Sequence, residues 1–191
     1  MSIQGAVSEH IQSVKNAFKE LNLKGNVLVV RQKSQIKQID ALILPGGEST
    51  TISKMLVKSG IYNIIINRAE NDDLPIMGTC AGCVLLSKKI TGDTQDINLL
   101  KIMDMEVQRN AFGRQRESFE KEIYINDLSK PYHAVFIRAP IIKKTWGKCE
   151  ILGEIDKKII AARQDRHLAF SFHPELTDDL KLHQYFLEII V

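Results

Sequence analysis

The residues with the most chemistry in this sequence are a cysteine, a histidine and a glutamate, set in two short motifs. The first motif is Ile76-Met77-Gly78-Thr79-Cys80-Ala81-Gly82. An apolar run ends in a glycine, a nucleophile follows, and small residues open a stretch of helical character. Such a strand-to-helix turn lifts one side chain off the edge of a sheet. Small neighbours suit it, because backbone passes close to backbone there. The positive end of the helix that follows favours negative charge on the side chain at the turn. The amide of Ala81 would point into the space in front of Cys80 and offer one donor to an oxyanion. A cysteine nucleophile needs a base. Among five histidines, His173 stands apart: it ends the run Leu168-Ala169-Phe170-Ser171-Phe172 and is followed by Pro174-Glu175. Across one rigid proline a carboxylate can fold back onto the imidazole and set its tautomer. Cys80, His173 and Glu175 therefore read as nucleophile, base and orienter.

The segment Leu44-Pro45-Gly46-Gly47-Glu48-Ser49-Thr50 lies between an apolar run and a helical stretch. Consecutive glycines expose backbone N–H groups. In an open α/β sheet this loop reaches the carboxyl edge beside Cys80, so Gly46 and Gly47 are candidates for the second oxyanion donor. A phosphate loop would need Lys before Ser or Thr, which is missing, and no G-x-G-x-x-G occurs. Cys80-Ala81-Gly82-Cys83 is also a C-x-x-C, the spacing of a redox dithiol or half a zinc site. No second cysteine pair exists, so Cys83 is expected in the core and Cys149 as structural, with no metal or cofactor. Arg109, Arg114, Arg116 and Arg138 either form a solvated basic face or, for Arg109 and Arg138 in extended apolar runs, bind an α-carboxylate. Arg114 and Arg116 are expected at the surface or facing a partner. His10, His133, His167 and His183 receive no chemistry, with Glu9-His10 taken as helix initiation. Trp146 is expected over lysine stems rather than on nucleic acid.

These motifs need elements to hold them. The chain has 191 residues with 44% hydrophobic content, enough for one core without disulfides, and one domain over 1–191 is expected. A net charge of +3 is too mild to argue for nucleic acid or an anionic membrane. The start carries neither a basic nor an apolar signal region, and no apolar run approaches the ~20 residues of a membrane span. A cytoplasmic protein with free thiols is the expectation. Apolar spacing predicts helices over 9–21, 49–57 and 178–190, with Ser49 or Thr50 capping the second. Strands are predicted over 26–30, 41–44, 75–79, 103–110 and 134–138. Three closely spaced runs over 150–155, 158–163 and 167–172 are joined by turns at Asp156-Lys157 and Gln164-Asp165-Arg166. The expected fold is a flavodoxin-like α/β three-layer sandwich, its central sheet mostly parallel, with an antiparallel addition late in the chain.

Together, Pro45-Gly46-Gly47, the Gly78-to-Gly82 elbow and His173-Pro174-Glu175 resemble class I, triad-type glutamine amidotransferases. The longer segments 42–50, 109–115, 136–140 and 171–177 resemble, within that class, the family of glutaminase subunits of pyridoxal 5'-phosphate synthase. The resemblance runs from Gln4-Gly5 to the last helix. It implies hydrolysis of L-glutamine to L-glutamate and ammonia through a thioester on Cys80, with His173 moving protons and Glu175 holding it. It also implies that Gly47, Glu48 and Ser49 form a glutamine-binding loop, with Arg109, Ile137 and Arg138 as further contacts. The implied partner is the synthase subunit, which consumes the ammonia in a large hetero-oligomeric ring and activates a poorly active glutaminase. Only Met1-Ser2-Ile3 precede Gln4-Gly5, where the family has a full apolar strand. The expectation is therefore a short first strand or a start upstream, with stability and docking affected more than chemistry. Two rivals stay open: a glutaminase serving another synthase, and a catalytically silent subunit of the same fold.

Overall fold

A computed structural model describes residues 6–71, 73–92, 96–109, 111 and 118–190. Along the chain, α1 (Val7–Glu20), α2 (Lys33–Ile36), β1 (Leu42–Leu44), α3 (Ser49–Lys58) and α4 (Tyr62–Glu70) come first. Next are β2 (Ile76–Thr79), α5 (Ala81–Leu86), β3 (Ser87–Thr91), β4 (Met103–Gln108), β5 (Ser118–Ile123) and β6 (Tyr132–Ile137). The chain closes with β7 (Ile141–Thr145), β8 (Glu150–Ile155), β9 (Lys158–Gln164), β10 (His167–Phe170), a 3-10 turn (Pro174–Leu176) and α6 (Lys181–Ile190).

The main sheet runs β1-β2-β10-β9-β7-β4-β3, with β8 on β9. β1 and β10 flank β2 and both pair parallel to it, Leu44 opposite Gly78 and Phe170 opposite Thr79. β3 and β4 are parallel too, whereas β9 pairs antiparallel with β10, β8 and β7, and β7 with β4. The antiparallel part thus lies late in the chain, as the closely spaced runs predict. Asp156 and Lys157, with φ of 48° and 62°, make the β8–β9 turn through two left-handed residues, the geometry that matches strand twist. A separate antiparallel ribbon pairs β5 with β6.

Both faces of the parallel strands are buried, which makes three layers. Leu42, Leu44, Ile76 and Ala169 pack against the side carrying Ile52 and Leu56 of α3, Ile65 of α4 and the apolar residues of α5. Met77, Leu168 and Phe170 point the other way, onto Phe136, Phe172 and Phe186 of α6. α1 joins that face through Val14 and Ala17 against Leu187. Among the described residues no helix is long and apolar enough to cross a membrane.

Three local expectations change. The run 26–30 is not a strand; with Leu42 of β1, α1 and Leu187 of α6 it lines a groove of about 780 Å³. The helix predicted over 178–190 starts at Lys181, whose N–H donates to Asp179 Oδ1 at 3.1 Å. The cap of α3 is Glu48 rather than Ser49 or Thr50: its carboxylate accepts from Thr50 N at 3.0 Å and Thr51 N at 2.6 Å. Ser49 is already inside the helix and buried. Burial pushes the Glu48 carboxyl up, but the bonds from Thr50 and Thr51 together outweigh it and pull it down to about 2.

Close backbone packing sets α5 against the sheet. A Cβ on Gly82 would lie 2.0 Å from the Leu44 carbonyl oxygen, and one on Gly78 would lie 2.6 Å from the Gly82 carbonyl carbon. Gly82→Ala is therefore expected to cost about 3 kcal/mol of folding stability, read as a lower urea midpoint at unchanged slope. Glu48→Ala should cost about 0.5–1 kcal/mol at neutral pH, the low end for a cap, because the carboxylate is half-exposed. A carboxyl lowered on folding stabilises above its unfolded value and loses that contribution as pH falls through its folded value. The difference between wild type and E48A should therefore be full above pH 4.5 and vanish as pH approaches 2.

Candidate active site

The parallel order β1-β2-β10 puts three strand ends on one sheet edge, each followed by a loop carrying a residue singled out from sequence. After β2 comes Cys80, with φ 49° and ψ −102°. A non-glycine residue there carries about 1–3 kcal/mol of strain and persists only when its surroundings impose it. Here the Cys80 N–H donates to Phe170 O at 2.8 Å, and its carbonyl accepts from Val84 N at 3.3 Å. The turn is thus tied to β10 on one side and to α5 on the other.

After β10 comes His173, whose N–H donates to Val135 O at 2.9 Å. Pro174 opens the 3-10 turn and brings Glu175 back under the ring, Oε1 at 2.7 Å from His173 Nδ1. Tyr132 braces the turn, its hydroxyl donating toward Pro174 O at 3.3 Å and Asp179 O at 3.2 Å. His173 and Glu175 are both buried. Burial alone would lower the His173 imidazole, but its interactions with the Cys80 and Glu175 side chains outweigh that and push it up to about 10. The imidazolium is the resting form near neutral pH.

After β1 comes Gly46. A Cβ there would meet His173 Cε1 at 2.5 Å and Cys80 Cβ at 3.3 Å, so only glycine lets this loop close over the two side chains. Gly47 follows at φ 141°. A pocket of about 530 Å³, within the range of small-molecule sites, opens in front of Cys80 and His173. Its wall brings together Gly46, Gly47, Glu48, Ser49, Ala81, Arg109, Ile137 and Arg138, every binding and oxyanion residue expected from sequence. Glu175 stands behind His173 rather than on the wall. Arg109 Nη2 lies 3.3 Å from Glu48 Oε1, so one carboxylate caps α3 and steers an arginine. Arg138 adopts φ 42°, a second strained backbone on the wall.

The wall also includes Ala6, Val84, Pro140 and Leu176, which sequence reasoning did not assign. Pro140 and Leu176 sit inside motifs it did single out. Leu176 lines the mouth and is 39% exposed. Gln4, Gly5, Arg114 and Arg116 lie outside the described residues. Cys83 is wholly buried, with its thiol pushed up by burial first and then by Cys80. Cys149 is buried and pushed up to about 12, mainly by burial. Trp146 packs beneath Lys89, whose Nζ is 5.7 Å from the ring centre.

Comparison with known proteins agrees with this geometry. The model of the SNO glutamine amidotransferase family matches residues 1–191. The chain is 47% identical to a Methanosarcina barkeri protein named pyridoxal 5'-phosphate synthase subunit PdxT, covering 100% of this chain and 96% of that one. It is 44% identical to the Staphylothermus marinus protein of the same name, covering 100% and 97%. A crystal structure of a glutamine amidotransferase superposes with a TM-score of 0.87 at 41% identity, over 98% of this chain and 95% of that one. A Thermotoga maritima glutamine amidotransferase shares the fold at a TM-score of 0.64 and 12% identity, over 98% and 93%. With sequence, fold and full-length coverage in agreement, the chain belongs to the SNO glutamine amidotransferase family.

Proposed function

We propose that this chain, as one domain over 1–191, hydrolyses L-glutamine to L-glutamate and ammonia and passes the ammonia to a pyridoxal 5'-phosphate synthase subunit. The observation that carries the chemistry is Cys80 on a strained turn beside His173, with Glu175 at 2.7 Å on the far ring nitrogen. The Cys80 thiolate attacks the side-chain amide carbon of glutamine, and the carbonyl electron pair moves to oxygen. The Ala81 amide and the Gly46-Gly47 loop receive that oxyanion. On collapse the C–N bond breaks, His173 gives its proton to the leaving nitrogen, and ammonia departs from a thioester. His173 then takes a proton from water, whose oxygen attacks the thioester carbon. The C–S bond breaks, glutamate leaves and the thiolate returns. Glu175 stabilises the imidazolium at both stages.

Arg109 and Arg138 bind the α-carboxylate at the other end of the pocket, while Gly47, Glu48, Ser49 and Ile137 frame the substrate. The group needs no cofactor, because thiol and imidazole supply the nucleophile and the proton. The partner is read from the full-length relatives, which are named as subunits of pyridoxal 5'-phosphate synthase. In the assembly, a large hetero-oligomer, docking orders an oxyanion donor in the Gly46-Gly47 loop. The freedom of Gly47 at φ 141° supports a peptide that can reorient there.

The test is glutamate release from glutamine by this chain alone and with its cognate synthase subunit, beside Cys80→Ala. Turnover should rise with the partner and fall by roughly four orders of magnitude in the folded variant. Turnover that survives in Cys80→Ala would exclude the thioester. Equal rates with and without the synthase would exclude activation by docking. No turnover in either condition, from a folded wild type, would point to a silent subunit.

A further inference from the structure

Behind Glu175, away from His173, four elements meet: α1, the end of β2, the 3-10 turn and α6. Glu175 Oε1 is taken by His173. The other oxygen, Oε2, is fully buried and makes no hydrogen bond among the described residues; His10 Nε2 stands 3.2 Å from it, close enough for an ion-pair contact but not aligned as a hydrogen bond. The same His10 nitrogen lies 3.1 Å from Thr79 Oγ1. His10 Nδ1 lies 3.1 Å from His183 Nε2, the two rings meeting edge-on at 5.3 Å between centres. Both histidines are buried.

The hydrogen-bond inventory leaves one consistent arrangement. Burial first, then His183 and His173, holds His10 well below its ordinary range, and burial holds His183 at about 4. Both rings are therefore neutral at neutral pH, with one donor and one acceptor each. An ionised Glu175 only accepts, and a ring lone pair 3.2 Å from it would be repelled, so the His10 proton sits on Nε2, bonded to Thr79 Oγ1 and turned toward Oε2. His10 Nδ1 must then accept, and His183 Nε2–H supplies the proton. His183 Nδ1 is left as a lone pair, and among the described residues that atom has no partner. The N–H groups point in one direction, from His183 to His10 and on toward Glu175, whose opposite oxygen takes the bond from His173.

We infer that His10 is a positioning residue for Glu175 and that His183 fixes the tautomer in which His10 does so. The inference rests on the glutaminase reading of Cys80 and His173. The bond from His173 on one oxygen and the close approach of His10 to the other hold the carboxylate plane, and a neutral N–H does this without a charge that would compete with the His173 imidazolium. Without His10, the buried Oε2 loses the N–H dipole that faces it, and the ionised form of Glu175 becomes more costly. A Glu175 that takes up a proton cannot support the imidazolium, so activity is lost at higher pH than in the wild type. Among the described residues, the titratable groups facing His10 are Glu175, His173 and His183, and Tyr132 also faces Glu175.

The experiment compares His10→Leu, His10→Gln and His183→Leu with the wild type, each checked for folding by thermal melts. Two readouts are taken across pH: glutamine turnover with the synthase subunit, and alkylation of Cys80 by iodoacetamide. In His10→Leu, kcat should fall about tenfold to a hundredfold with KM little changed, and the acidic limb of both profiles should move to higher pH. His10→Gln, whose Nε2 can donate from nearly the same place, should recover most of the loss. His183→Leu should move both profiles in the same direction by less. A folded His10→Leu with unmoved profiles, or a Gln variant no better than Leu, would overturn the inference. If His10→Leu does not fold, an unmoved profile in His183→Leu overturns it equally. Absence of wild-type turnover would sink the glutaminase reading instead, and the alkylation profiles would still decide the role of His10.

Discussion

The backbone of Leu44 runs so close to the first turn of α5 that only hydrogen fits on Gly82 between them. That contact sets the spacing between the β1 loop and the β2 elbow, and the rest of the site follows from it. With α5 seated there, Gly78 must also lack a side chain, because its Cβ would enter the Gly82 backbone. Gly46 then lies against both Cys80 and His173. Three loops from three adjacent parallel strands converge at one point because glycine stands wherever two of them touch. The strain at Cys80 is sustained by its bonds to Phe170 and Val84 and by a core buried on both faces of the sheet.

Electrostatics then divides the histidines by their neighbours. His173 faces two groups that are anionic in the reacting state, and their pull exceeds the cost of burial. His10 and His183 are buried more deeply: although Glu175 lies beside His10, burial and then His183 and His173 hold that ring low, and burial holds His183 at about 4. His133 shows the remaining case: at the surface, bonds to Glu120 at 2.8 Å and Glu122 at 2.9 Å raise it. A cationic ring thus stands in front of Glu175 and a neutral one behind it. The carboxylate is bonded by His173 on one oxygen and approached by His10 at the other, and the charge it stabilises lies on the side of the nucleophile.

The legible part of this molecule is the part in which structure is local. The elbow, the paired glycines and His-Pro-Glu each act within a few residues, so residue type and spacing reveal them. Helical period located α1, α3 and α6, the elbow located the start of α5, and closely spaced apolar runs with turn residues between them located β8, β9 and β10. β5 was not seen: Ser118-Phe119-Glu120-Lys121-Glu122-Ile123 is mostly solvent-facing and has little apolar pattern. α4 was hidden by the triple Ile64-Ile65-Ile66, which fits a buried strand as well as a helix. The run 26–30 has strand-forming residues, but pairing is decided by what lies beside it. The cap of α3 passed to Glu48 because a longer side chain one residue earlier can reach two amides, which average preferences for Ser and Thr do not register. His10 and His183 are 173 positions apart, and nothing in either neighbourhood signals the other.

The same reasoning explains why one thiol of three is suited to covalent chemistry. Cys80 and Cys83 are three residues apart, and a C-x-x-C invites a redox reading. The turn separates them physically: at φ 49° Cys80 projects from the sheet edge onto the pocket wall, while Cys83 continues the helix into the core. Burial disfavours a thiolate at Cys83, and the charge of a thiolate at Cys80 would disfavour it further. Cys149 is held as a thiol by burial and then by Asp104 and Glu150. An imidazolium stands beside Cys80 alone. The elbow therefore selects the reactive sulfur by aiming it at a cation, and the helix behind keeps its neighbour inert.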